Sequence, residues 1–254
     1  MFPPITGETS CYEEVAREID DRAVFALELA RDDDPPTTAE ALARCCLADI
    51  VTAAAGAPIL LFGWSAGGVI AYEAARQARD AGIEIAGVAL LEVRAPSDVM
   101  VDGTPGATDL AEMATILPLS RRLAYLVGEP PAYMQAELAA MSADERIAAF
   151  HREAVRTEFL PAGADPIATR RLVSTFQWIG RAAMSYRPVP YPGHVTLFEA
   201  TSELAEHPRP PTLGWERFVA DLSHVPVDGN VFTVLQPARR QALGRALLAW
   251  AQGR

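Results

Sequence analysis

The stretch that most constrains this chain is Pro58-Ile59-Leu60-Leu61-Phe62-Gly63-Trp64-Ser65-Ala66-Gly67-Gly68-Val69-Ile70-Ala71-Tyr72. An apolar run, a Gly-x-Ser-x-Gly turn and an apolar-periodic run follow one another without a gap. The pattern predicts a buried strand, a tight turn and a helix. Such a turn holds a serine in a strained backbone conformation and exposes its Oγ. Glycines at 63 and 67 imply crossing backbone so near that a Cβ would collide with it. The helix start directs N–H groups and the positive end of its dipole at the serine, where an oxyanion would develop. The plain alternative is a glycine-rich turn that only closes a parallel strand.

The rest of the chain predicts an α/β domain around that turn. At 254 residues it is long enough for one sizeable core with a subdomain. Tyr12–Ile19 has helical spacing, and Ala23–Leu27 reads as a short apolar strand. Asp32-Asp33-Asp34-Pro35-Pro36 reads as a broken acidic loop. Thr37-x-x-Glu40 offers a capping box for a helix to about Ala55. Ile83–Leu91 reads as a buried strand that ends at Glu92. Strands alternating with helices predict a mostly parallel, doubly wound sheet. From about Asp109 to Met184 the signals are helical only, with a second capping box at Ser142-x-x-Glu145. Strands resume at His194–Glu199 and Leu222–Val227, with a short helix expected at Trp215–Val219. Pro237–Trp250 closes the chain as a helix. The expected organisation is therefore a core of residues 1–107 and 188–254 with a helical lid inserted at 108–187.

A net charge of −11 argues against a nucleic-acid binder, which needs a basic face, and gives no support for docking on anionic lipid. Cys11, Cys45 and Cys46 are odd in number, and two are adjacent, so no disulfide framework is expected. No metal-ligand spacing occurs. No apolar run is long enough for a bilayer, and Met1-Phe2-Pro3-Pro4 shows no signal-peptide pattern. The expectation is a cytoplasmic protein with no metal and no cofactor of its own.

Gly63-Trp64-Ser65-Ala66-Gly67-Gly68-Val69-Ile70-Ala71-Tyr72-Glu73-Ala74-Ala75-Arg76-Gln77 resembles the thioesterase domains that end polyketide synthases and nonribosomal peptide synthetases. Nearly the whole chain follows that family's order. Phe2-Pro3-Pro4-Ile5-Thr6-Gly7 resembles its first-strand loop, Leu90-Leu91-Glu92-Val93-Arg94-Ala95-Pro96 the segment carrying its acid, and Tyr191–Phe198 the strand after its lid. The resemblance implies an α/β-hydrolase fold. It implies a small-molecule acyl substrate delivered on the phosphopantetheine of an acyl- or peptidyl-carrier protein, moved to serine and then to water or an internal nucleophile. By that match Ser65 is the nucleophile, and the N–H groups of Ala66 and Ile5 form the oxyanion hole. Glu92 stands where the family usually has aspartate; a carboxylate is kept, one methylene longer.

The base departs from the pattern. The family's histidine sits in a Gly-x-His segment before the last helix, and here that segment is Gly229-Asn230-Val231. Valine can neither take the serine proton nor return one. In a triad hydrolase, loss of the histidine costs about 10⁶-fold in turnover. His207, in the loop after the Val195–Glu199 strand, is the first substitute. His151, in the expected lid, is the second. His224 is expected inside a strand and packed within the sheet, and His194 at the far end of one. Asp228 lies near the vacant place but is a poor base for a hydroxyl. Three readings follow: acyl transfer with a displaced or substrate-borrowed base, Glu92-assisted cyclisation or elimination, and non-catalytic binding of an acyl chain or carrier protein.

Overall fold

The computed structural model describes residues 1–29, 36–96, 108–202 and 209–254. The acidic loop through Asp32, Asp33 and Asp34 and the candidate base His207 lie outside the described residues.

Among the described residues, four strands form one sheet in the order β1-β2-β3-β4. They are β1 (Ile59–Trp64), β2 (Ile85–Leu91), β3 (Tyr191–Ala200) and β4 (Val219–Val227), and every neighbouring pair is parallel. Across their C-terminal ends Trp64 pairs with Leu91, Leu91 with Phe198, and Phe198 with Val225. On the other side of β1, Phe2 bridges Gly63 in parallel. Beyond it, Leu27 N–H donates to Met1 O and the Met1 amine to Phe25 O. The chain thus starts in the middle of the sheet, steps outward, and returns to β1 on the opposite flank. That reversal makes the sheet doubly wound, and ligands in such sheets bind at the reversal, beyond the carboxyl ends of the strands.

Helices cover both faces. On one side α2 (Ala39–Ala54) packs on α3 (Ala66–Asp80), which lies on β1 and β2. On the other, α1 (Glu13–Arg17) packs against α8 (Pro237–Gln252). Tyr12, Val15, Leu243 and Leu247 meet Phe62, Trp64, Ala89, Leu91 and Phe198 there. Phe62 with Trp64, and Ala89 with Leu91, are two apart, so the strand period of two presents them to one face.

Between β2 and β3 the described residues form helices and no strand: α4 (Thr108–Val127), α5 (Gln135–Ala140), α6 (Ala143–Arg156) and α7 (Pro166–Ser185). By packing, the chain divides into residues 1–101 with 179–254, and residues 102–178. The second unit has its own core, in which Ile116, Leu119, Leu123, Leu138, Ile147 and Phe150 meet. Ser142 caps α6 through the expected box with Glu145.

Several expectations need correction. Ala23–Leu27 forms no strand; among the described residues its backbone is bonded by Met1, through Phe25 O and Leu27 N–H. Thr38 rather than Thr37 caps α2, accepting from Ala41 N–H. Tyr12–Ile19 is a short turn of 3₁₀ helix running into a five-residue α1. The short helix expected at Trp215–Val219 is 3₁₀ and stops at Arg217. A 3₁₀ segment covers Pro211–Arg217, with Thr212 and Leu213 in the left-handed region, and Val219 already belongs to β4. His224 is not packed: β4 ends the described strand order, and this side chain is exposed.

Candidate active site

Ser65 is the first residue after β1, and Glu92 the first after β2. Ser65 N–H donates to Leu91 O at 3.1 Å, and Glu92 N–H to Phe198 O at 3.0 Å. Adjacent strands lie about 4.8 Å apart, so the two backbones are direct neighbours at one sheet edge. Both have left-handed backbones, with φ of 53° at Ser65 and 48° at Glu92. Such conformations in residues with a Cβ cost about 1–3 kcal/mol each and cluster at functional sites.

Crossing backbone explains the glycines around Ser65. A Cβ on Gly63 would overlap the backbone of Gly67 and Gly68, and one on Gly67 would overlap the carbonyl of Pro3. One on Gly68 would run into Val93. The Phe2–Pro3 segment therefore crosses directly over the turn. It is fixed there by Phe2 N–H on Phe62 O at 2.8 Å and by the Tyr12 hydroxyl on Phe2 O at 3.0 Å. Ile5 follows in a turn closed by Gly7 N–H on Pro4 O. Ala66 opens α3, where the first N–H groups have no partner within the helix. Ser65, Ala66 and Glu92 thus lie at one end of the sheet, and the segment that leads to Ile5 starts against Gly67.

The Glu92 side chain is buried. Its Oε1 accepts from Ala200 N–H at 2.6 Å, and its Oε2 from the Arg209 guanidinium at 2.9 Å. Arg209 also donates to Ala200 O at 2.5 Å and Ser202 O at 3.2 Å. Burial pushes the Glu92 carboxyl above its ordinary value, and the Ala200 N–H and Arg209 pull against that without cancelling it. The segment that follows Arg209 docks on the loop after Glu92: Leu213 O accepts from Ala95 N–H, and the buried Trp215 donates to Val93 O at 2.6 Å. Nothing in the local sequence marks Arg209. It lies 117 residues from Glu92, between two prolines, where an arginine reads as a surface charge.

The turn after β4 joins the same cluster. Thr201 N–H donates to Val227 O, and Ser202 N–H to Gly229 O, both at 2.8 Å. Asn230 is buried, and its Oδ1 accepts from Phe232 and Thr233 N–H, which shapes the turn carrying Val231.

Each described histidine holds a partner other than Ser65 or Glu92. His194 lies in β3, four residues before Phe198 and so about 13 Å back along the strand, against Asp221 and Thr196. His224 reaches Glu199 at 3.3 Å. His151, in the helical unit, bonds Thr169 at 2.7 Å. Asp228 holds Arg239 at 2.7 Å.

The thioesterase domain family matches residues 1–250. The chain belongs to that family. Thioesterase domains are serine hydrolases of the α/β type, which agrees with the strand–Ser65–helix geometry. A non-reducing polyketide synthase of Arthrinium sp., atnG, is 40% identical over 81 residues, 31% of this chain and 4% of that protein. Among solved structures, a holo four-domain nonribosomal peptide synthetase, AB3403, bound to AMP and glycine, matches with a TM-score of 0.82 at 28% identity. That match covers 98% of this chain and 19% of that one. The NocB thioesterase domain in covalent complex with a fluorophosphonate nocardicin G analogue matches at 0.66 and 19% identity, over 96% of this chain and 89% of that one. This thioesterase domain is therefore similar to a small part of each of the two synthases. No described helix is long and apolar enough to cross a membrane.

Proposed function

We propose that this thioesterase domain releases an acyl or peptidyl chain from the phosphopantetheine of a carrier protein through an acyl-enzyme on Ser65. The observation that carries the reading is the left-handed Ser65 at the end of β1, with glycines in contact with crossing backbone on both sides. A turn that only closes a strand has no need of that strain. The shares of the two synthases that resemble this chain support the carrier-protein context.

Ser65 Oγ attacks the thioester carbonyl. The C–S bond breaks, the Oγ–acyl bond forms, and the serine proton leaves with the pantetheine thiol. Water, or a hydroxyl or amine of the chain itself, then attacks the ester and returns a proton to Oγ. The N–H groups of Ala66 and Ile5 hold the oxyanion in both steps. Glu92 is the carboxylate of the site, and His207 is the base that the sequence offers, acting on Oγ without a bond to the Glu92 oxygens that Ala200 and Arg209 occupy.

Two observations favour a second reading, in which ordinary hydrolysis is lost or altered. By the resemblance, Val231 falls in the segment where the family carries its histidine, and the Glu92 carboxylate already holds a guanidinium. Release then proceeds through an internal nucleophile that carries its own base, or the acyl chain is held without turnover.

The test is chain release from an acylated carrier protein, with products separated by mass spectrometry. Free acid or a cyclised product above the uncatalysed rate, abolished in Ser65→Ala, supports the reading. Release at the uncatalysed rate, with the carrier still loaded, contradicts it.

A further inference from the structure

We propose that Arg209 is a positioning residue that closes the Glu92 carboxylate, so that Arg209 as well as Val231 keeps a carboxylate–imidazole relay from forming beside Ser65. The inference rests on the acyl-enzyme reading above.

The geometry is that of an occupied acid. One Glu92 oxygen takes the Ala200 N–H and the other takes Arg209 at 2.9 Å. Both side chains are enclosed, 4% exposed for Glu92 and 9% for Arg209. The acid of a triad serves by holding an imidazole in one tautomer and stabilising the imidazolium that forms. A carboxylate already paired with a guanidinium presents no net charge to a second cation. An imidazolium brought to Glu92 would also stand beside Arg209 and be repelled by it.

The turn carrying Val231 is tied to the same place. Ser202 offers its carbonyl to Arg209 and its N–H to the Gly229 carbonyl, two residues before Val231. Arg209 therefore holds, through Ala200 and Ser202, the strand end on which the turn hangs. A histidine placed at 231 would approach a pair that is already complete. The other charges around the pair do not free it. Glu199 is 3.9 Å from Arg209 and is itself met by His224, and the charge of Arg94 acts on Glu92 from the same loop.

The experiment uses the full chain and a short acyl thioester of N-acetylcysteamine. Acylation and deacylation of Ser65 are followed by intact mass from pH 5 to 9. Wild type is compared with Val231→His, with Val231→His/Arg209→Met, and with Val231→His/Arg209→Gln. Glutamine keeps a donor for the Ala200 carbonyl and covers the case in which the methionine variant fails to fold.

Val231→His alone is expected to deacylate within about threefold of wild type and to show no new limb in the pH profile. A double variant is expected to gain at least tenfold, with a new limb near the imidazole range at about pH 6.5. Adding Ser65→Ala should abolish the gain. An Arg209 that only supported the fold would lower rates and melting temperature together and leave the profile unmoved. The proposal is overturned if Val231→His alone gains as much as the double variants, or if neither double variant gains. Absence of any Ser65 adduct in wild type would instead bring down the acyl-enzyme reading on which the proposal rests.

Discussion

Ser65 and Glu92 stand at the carboxyl ends of neighbouring strands, each on a backbone that a residue with a Cβ rarely adopts. At Ser65 the cause is steric. The chain turns from β1 into α3 in one residue, and Gly63, Gly67 and Gly68 leave room for the backbone that crosses it. A methyl group on Gly67 has nowhere to go, because it would meet the Pro3 carbonyl, and the preceding residue Phe2 is held by Tyr12 and Phe62. Gly67→Ala should therefore lower stability by about 1–3 kcal/mol in urea unfolding, and should slow Ser65 acylation at least tenfold as the first-strand loop shifts. Unchanged acylation would show that this loop contributes nothing to the reaction. That Ser65 ends one strand and Glu92 the next was legible from the order of residues. Arg209 was not, because its partner is distant in sequence and its role comes wholly from the fold. Breaking its buried pair by Arg209→Met should cost about 3–5 kcal/mol, again read by urea unfolding, and a loss below 1 kcal/mol would mean that the pair is open to water.

Among the elements, α3 is held by a polar network as well as by apolar packing. Glu73 on α3 is fully buried and accepts from the hydroxyl of Tyr186, just after α7, at 2.6 Å, and from Arg76 and Gln77 at 2.7 Å. Burial works against its charge, but these hydrogen bonds outweigh burial and set the carboxyl below its ordinary value of 4.5. A group lowered on folding stabilises the protein above its unfolded value and loses that contribution as pH falls through its folded one. Glu92, raised on folding, works in the opposite sense. Glu73→Gln should thus be less stable than wild type by about 1–3 kcal/mol at pH 7, and the gap should narrow below pH 4.5. A gap that widens in acid would reverse the assignment. The strands β1, β2 and β3 could be read from their apolar runs, whereas the backbone of Pro211–Arg217 could not. Its left-handed residues are set by docking Trp215 and Leu213 onto the loop after Glu92, a tertiary demand with no local signal. The choice between Thr37 and Thr38 as helix cap is a one-residue ambiguity that composition alone does not resolve.

The molecule as a whole has two packing units with separate cores, and the proposed chemistry sits in the one that contains the sheet. Separate cores imply separate responses to substitution. Phe150→Ala, in the helical unit, should cost about 3–5 kcal/mol locally. Hydrogen exchange should then rise in α4 and α6 while β1 to β3 keep their protection. Equal loss across both units would show a single cooperative body. The alternation of strands and helices, and its interruption by a helical stretch, were plain in the sequence. The reversal of the chain at Phe2 was not, because it rests on a single bridge and two hydrogen bonds. The central claim is that Ser65 is the acyl acceptor. Its most direct measurement is the intact mass of the protein after exposure to an acyl thioester, followed by peptide mapping of the adduct. The account predicts a single acyl increment on Ser65 and none in Ser65→Ala. An unmodified protein, an increment mapped to another residue, or equal labelling of Ser65→Ala would contradict it.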